Sequence, residues 1–172
     1  FGGSHAFAFP LMVAAAVRAA VSPGIALGVR ITGTDWSDEG IIPENAIALT
    51  IELQRIGYHY VDVTTGGIHP RIQIATSPGY QVPFARRIRE ATGIVTRAVG
   101  LIVKPEQAEE ILTSGAADQV AIGRGVLDNP RWGWHAAEAL GAKLMLPPQY
   151  VRAKADLWPG AQTLRHSHSA QK

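Results

Sequence analysis

Four short β-branched runs, separated by amphipathic stretches, restrict this chain to a small set of folds. The runs at 26–31, 60–63, 94–99 and 119–122 read as buried strands, because each is apolar, short and nearly continuous. Helical patterns lie before and between them, at 10–21, 43–56, 82–91, 105–114 and 130–140. In the second of these Ala46, Leu49, Leu53 and Ile56 form one stripe, and in the third Phe84, Ile88 and Ala91 do the same. Pro43, Pro105 and Pro130 stand at predicted helix starts, where a missing N–H costs nothing, and Asn129 suits an N-cap. Gly57, Gly93, Gly115 and Gly141 follow predicted helix ends. The order is α-βα-βα-βα-βα, which calls for a parallel sheet with right-handed crossovers.

Two α/β architectures satisfy that order. One is an open doubly wound sheet; the other is part of a (β/α)8 barrel, which takes about 250 residues when complete. With 172 residues, four strands and five helices, the chain would supply half of such a barrel. A half-barrel leaves unpaired strand edges and an uncovered inner face, so it calls for the missing half, a second copy or a rearranged closure.

Composition narrows the chemistry. At 47% hydrophobic and 17% charged the chain can build a core and does not read as disordered. Sixteen basic against fourteen acidic residues, with no basic run interleaved with aromatics, make nucleic acid an unexpected partner. The absence of cysteine excludes disulfides, thiolate metal ligands and a thiol nucleophile. No apolar run is long enough for a membrane span and no leader is read, so the expected location is the cytoplasm. The tail at 153–172 has no helical period; it is expected to be a mobile extension of a domain covering 1–152, and its His166 and His168 are expected to be solvated rather than metal ligands.

Ligands of parallel α/β folds bind at the carboxyl ends of the strands. The loops after the third and fourth strands carry Gly100 and Gly123-Arg124. Glycines there let an anion approach backbone N–H groups, and Arg124 adds a forked cation, so a phosphate site is expected. Arg30, flanked by Val29 and Ile31, is either a cation aimed at an anionic ligand or half of an ion pair with Asp62 or Asp118. His69 and Tyr80 occupy loops and are read as solvated and packing residues; Asp35-Trp36 either lines the mouth or caps a turn. No dinucleotide or P-loop fingerprint and no metal triad is present, and no lysine falls in a predicted strand, which argues against a Schiff-base aldolase.

Several segments together resemble the C-terminal half of the Old Yellow Enzyme family of FMN-dependent ene-reductases, in particular its thermophilic-like bacterial branch. They are FGGS at 1–4, VRI at 29–31, GYHYVDVTTGG at 57–67, PGYQVPFA at 78–85, AVGLI at 98–102, QAEEIL at 107–112, ADQVAIGRGVLDNP at 117–130, LGAK at 140–143 and QY at 149–150. The resemblance implies strands five to eight of a TIM barrel, with FMN as cofactor and NADPH or NADH as reductant. It matches Arg30 to an arginine beside the flavin N1/O2 edge, and Gly100, Gly123 and Arg124 to the FMN phosphate site, with Val99 also expected to bind the cofactor. It matches Arg152 to an arginine that reaches a neighbouring subunit's substrate site in a homo-oligomer. The family reduces activated alkenes such as enones, and its carbonyl-holding donor pair and proton-delivering tyrosine belong to the first half of the barrel. No catalytic residue is therefore expected in this half, which would be inactive without its N-terminal counterpart. The other expectation is a non-catalytic flavin- or phosphate-binding half-barrel that serves as an assembly partner. The chain departs from the family at His5–Phe9, where Glu-Asn-Arg is usual, at Arg97, where a small residue is common, and in its long tail.

Overall fold

The computed structural model describes residues 6–68, 71–161 and 163. Helix α1 spans Ala8–Ala20 and is followed by β1 (Gly28–Thr32), α2 (Pro43–Ile56), β2 (Tyr60–Thr64), α3 (Val82–Thr92), β3 (Val95–Ala98), α4 (Pro105–Thr113) and β4 (Gln119–Val120). Two short helices, α5 (Arg124–Asp128) and α6 (Trp132–Ala139), and a 3-10 turn at Pro148–Ala153 follow. The chain divides into two units, Phe1–Leu127 and Asp128–Lys172; the expected boundary at 152/153 falls inside the second.

The strand order decides between the two expected architectures. All pairings are parallel and the order is β1-β2-β3-β4, each strand beside its predecessor. Right-handed crossovers that always advance in one direction put every connecting helix on the same face. A doubly wound sheet must reverse direction once, and this one does not. The arrangement is α/β, and it is that of half a (β/α)8 barrel.

Burial shows the same asymmetry. Ile31, Val61, Val63, Thr96 and Ala98 are buried, and on β2 the buried residues alternate with Tyr60, Asp62 and Thr64. Beneath the buried set lie Ala85 and Ile88 of α3, with Ala46, Thr50 and Leu53 of α2. Helix α3 packs on β2, β3 and α2, which makes it the centre of the core. The opposite face carries Arg30, Asp62, Arg97 and Gln119 in one register row across the four strands. Arg97 lies over the Tyr60 ring at 4.7 Å and donates from Nε and Nη2 to Gln119 Oε1 at 3.0 and 2.8 Å. The strands are thus apolar towards the helices and polar on the other side, not buried on both faces as their composition suggests.

Local signals explain most boundaries. Pro43 and Pro105 open α2 and α4, and Gly57 ends α2 in the left-handed region at φ 104°. The start of the last helix differs from expectation. Arg131, not Asn129, is the N-cap of α6, because the Asn129 side chain is used one turn earlier: its Oδ1 accepts from the Arg131 N–H at 3.1 Å, and its carbonyl accepts from Trp132. Strand β4 is shorter than expected, only two residues long.

A carboxylate closes the β3–β4 end. Asp118 Oδ2 accepts from the Thr96 N–H at 2.9 Å, while Oδ1 takes the Arg89 Nε of α3 at 3.0 Å. Burial alone would push this carboxyl up; the Thr96 N–H and the Arg89 guanidinium outweigh that and hold it below the usual carboxylate range.

Candidate functional site

The carboxyl ends of the four strands surround a cavity of about 670 Å³. Its walls are Arg30 of β1, residues 64–67 after β2, residues 99–103 after β3 and residues 121–125 after β4, with Tyr80 and Gln81 ahead of α3. The volume is in the ~300–1,000 Å³ range of small-molecule sites. All five residues expected to bind the cofactor (Arg30, Val99, Gly100, Gly123 and Arg124) line this one cavity.

The two glycines are glycine for different reasons. Gly100 has φ 108°, and a Cβ there would lie 3.0–3.2 Å from the Gln81 side chain; backbone and packing both demand it. The turn continues through Leu101, a rare non-glycine residue at positive φ (51°), whose carbonyl accepts from Gln107 Nε2 at 3.1 Å. Gly123 has no such demand. A Cβ there would meet nothing within 4 Å, so the missing side chain leaves its backbone open. Among the described residues, the N–H groups of Gly100, Gly123 and Arg124 donate to no backbone acceptor. Three open amides and the exposed Arg124 side chain make one end of the cavity a place for an oxyanion. The geometry rests on these loops and not on the dipole of α5, a helix of only five residues.

Arg30 brings a second cation to the cavity. The ion pair considered for it does not form. Asp118 is engaged by Arg89, and the described ion pairs are Arg55–Glu52, Arg87–Glu44 and Arg89–Asp118. Asp62 is the register partner of Arg30 on β2, yet Arg30 Nη2 donates to Thr64 Oγ1 at 3.0 Å, towards the strand's carboxyl end. Asp62 Oδ1 is buried without a hydrogen-bond partner. Burial raises its pKa above the usual value, offset in part by Arg30 and Arg97. Arg30 thus remains available to an anionic or electron-rich group in the cavity.

Other candidates take different places. Asp35 closes its own loop, with Oδ2 accepting from the Ile41 N–H at 2.7 Å, and Trp36 packs edge-on against Phe84 at 5.3 Å. Tyr80, expected only to pack, lines the cavity, and its hydroxyl accepts from Gln81 Nε2 at 2.9 Å. Thr65 and Gln81 are cavity residues that sequence reasoning did not single out; they lie in the stretches GYHYVDVTTGG and PGYQVPFA but carry no charge, and their tertiary placement marks them as cavity residues. Arg152 is exposed on the 3-10 turn in the second unit. His69, His166 and His168 lie outside the described residues. No group of three potential metal-binding His, Cys, Asp or Glu side chains occurs among the described residues, and no helix there is long and apolar enough to cross a membrane.

The model of the NADH:flavin oxidoreductase / NADH oxidase family matches residues 1–142. The chain belongs to that family. Among its relatives are the NADPH dehydrogenases of Listeria innocua, 44% identical over 125 residues, and of Geobacillus thermodenitrificans, 44% identical over 126. Each match takes in 73% of this chain and 37% of the relative, so the chain spans little more than a third of the length of these relatives. A solved complex of 2-naphthoyl-CoA reductase superposes with a TM-score of 0.72 at 19% identity, over 82% of this chain and 22% of that one. That likeness concerns the fold, a TIM-barrel reductase of which this family member reproduces a part.

Proposed function

We propose that this chain is the cofactor-phosphate-holding part of an FMN-dependent oxidoreductase that uses NADPH or NADH to reduce activated C=C bonds. The convergence of Arg30, Gly100, Gly123 and Arg124 on one cavity carries this reading. The residues present fit the group. The open amides of Gly100, Gly123 and Arg124, with the Arg124 guanidinium, would hold the phosphate. Arg30, held by Thr64, would offer a cation to the electron-rich edge of the ring system. When bound, FMN would supply the hydride chemistry between nicotinamide and alkene. The chain's own residues bind and orient; the family resemblance assigns the carbonyl-holding donor pair and the proton-delivering tyrosine to the first half of the barrel. Turnover is accordingly assigned to the complete barrel.

The sheet favours assembly with that remainder or with a second copy. β1 and β4 each have a strand partner on one side only among the described residues, and the row Arg30–Asp62–Arg97–Gln119 lies on the face without helices. A non-catalytic binding half-barrel is the second reading, and the same two free edges favour it. One experiment separates them. The chain is titrated with FMN and then assayed for enone-dependent NAD(P)H oxidation, alone and with the N-terminal part of a relative's barrel. The first reading expects binding with activity only after complementation. Binding that never yields activity supports the second, and turnover of about 1–1000 per second by the chain alone refutes both.

A further inference from the structure

Gln81, in the wall of the cavity, holds a buried acceptor that the fold itself does not use. The residue is the N-cap of α3, yet its side chain makes no capping bond. It is 4% exposed and lies in the cavity wall beside Gly100. Both amide hydrogens are spent: Nε2 donates to Thr65 Oγ1 at 3.0 Å and to the Tyr80 hydroxyl at 2.9 Å. Those two bonds fix the carboxamide, and its Oε1 is left buried with no hydrogen-bond partner. A Cβ on Gly100 would come within 3.2 Å of that oxygen, so Oε1 faces the loop whose amide is open to an anion. A buried carbonyl without a partner is costly, and such groups in native proteins point to a missing partner.

The missing partner must be a donor. The dianion of a phosphate monoester offers only acceptors and cannot satisfy Oε1, so the ligand has to present an O–H or N–H immediately beside its anionic group. Building on the flavin reading above, we propose that Gln81 is a specificity residue whose Oε1 accepts a hydrogen bond from a hydroxyl of the polyol chain next to the ligand's phosphate. Thr65 and Tyr80 act as positioning residues, since their hydroxyls hold the carboxamide in the cavity wall beside Gly100. The site thereby distinguishes a hydroxyl-rich phosphate ester from phosphate itself.

The test is calorimetric titration of the full 172-residue chain with inorganic phosphate, riboflavin and FMN, with thermal melting of each variant alongside. Gln81→Met removes the acceptor at similar volume; it is expected to weaken riboflavin and FMN by the same factor, about five- to tenfold, and to leave phosphate unchanged. Gln81→Glu keeps an acceptor but adds a negative charge; it is expected to retain riboflavin affinity and to weaken FMN. Flavin affinities unchanged in Gln81→Met, or an equal loss for all three ligands, would overturn the role of Gln81 while leaving the flavin reading in place. If Gln81→Met fails to fold, Gln81→Glu decides: loss of riboflavin binding there overturns the proposal. A wild-type chain that binds phosphate but neither flavin overturns the flavin reading and the role of Gln81 with it.

Discussion

Replacing each of the two loop glycines by alanine separates what the fold needs from what the ligand needs. At Gly100 the φ of 108° is unfavourable for an L-residue, a cost of about 1–2 kcal/mol. The new methyl would also press on Gln81 Cβ, Cγ and Oε1 at 3.0–3.2 Å, and overpacking of this kind costs about 1–3 kcal/mol. Gly100→Ala is therefore expected to lose about 2–5 kcal/mol, a fall of about 4–20 °C in Tm for a chain of this length. At Gly123 neither term applies, because φ is not positive and nothing lies within 4 Å of the added carbon. Gly123→Ala should melt within about 2 °C of wild type. Its methyl, however, stands against the backbone that the anion is proposed to touch. Loss of one amide–phosphate hydrogen bond, about 1.5–3 kcal/mol, corresponds to a fall of about 10- to 150-fold in FMN affinity. Circular dichroism melting and fluorescence titration of FMN measure the two effects independently. A Gly123→Ala chain that melts normally and binds FMN as tightly as wild type would refute the anion site at this loop. A Gly100→Ala chain as stable as wild type would refute the steric and backbone account of Gly100.

Three further outcomes are expected. Ile88→Ala removes a side chain that is 1% exposed between α3 and the sheet, and should cost about 2–5 kcal/mol in urea unfolding; a loss under 1 kcal/mol would show that α3 is not the centre of the core. Asp118 titrates in the fold below its ordinary value of 3.8, so its contribution is present above that value and is lost as pH falls through the lower folded pKa. Asp118→Asn should flatten stability below about pH 4, and an unchanged acid limb would remove Asp118 from that role. Asp62 has the opposite sign: its folded pKa is raised, so its ionisation opposes folding as pH rises from 3.8 through the folded value. Asp62→Asn is thus expected to stabilise the chain at pH 7, and a lower Tm than wild type would show that the carboxylate is needed to balance Arg30 and Arg97.

Much of this protein was legible along the chain because its signals are local. The stripe Ala46–Leu53 and the bracket of Pro43 and Gly57 define α2 without reference to any other element. The same holds for the four strand runs and for the glycines that end helices α2 and α3, since periods of 2 and 3.6 and a requirement for positive φ are properties of adjacent residues. Strand-end placement also predicted that Gly100, Gly123 and Arg124 would share one rim, while it left Arg30 either facing a ligand there or held in an ion pair. Signals read from short stretches did less well where a side chain had two possible partners. Asn129 suited a cap but closes the preceding turn, and Arg30 had two acidic candidates but donates to Thr64, 34 residues away.

The sequence by itself therefore determined the four strands, the five main helices, the parallel pairing and the loops in which a ligand could sit, because those depend on steric and hydrophobic preferences within one turn or one strand; it did not mark α5 or the 3-10 turn at Pro148–Ala153. Only the tertiary structure decided that the strands follow one another without reversal, that one sheet face is polar, and that Asp118 joins Arg89 to Thr96. It alone placed Gln81 Oε1 beside Gly100 with both amide hydrogens already committed to Thr65 and Tyr80. These are consequences of strand register and of the angle at which α3 enters the core, and such relations between distant residues leave no periodic trace in the chain.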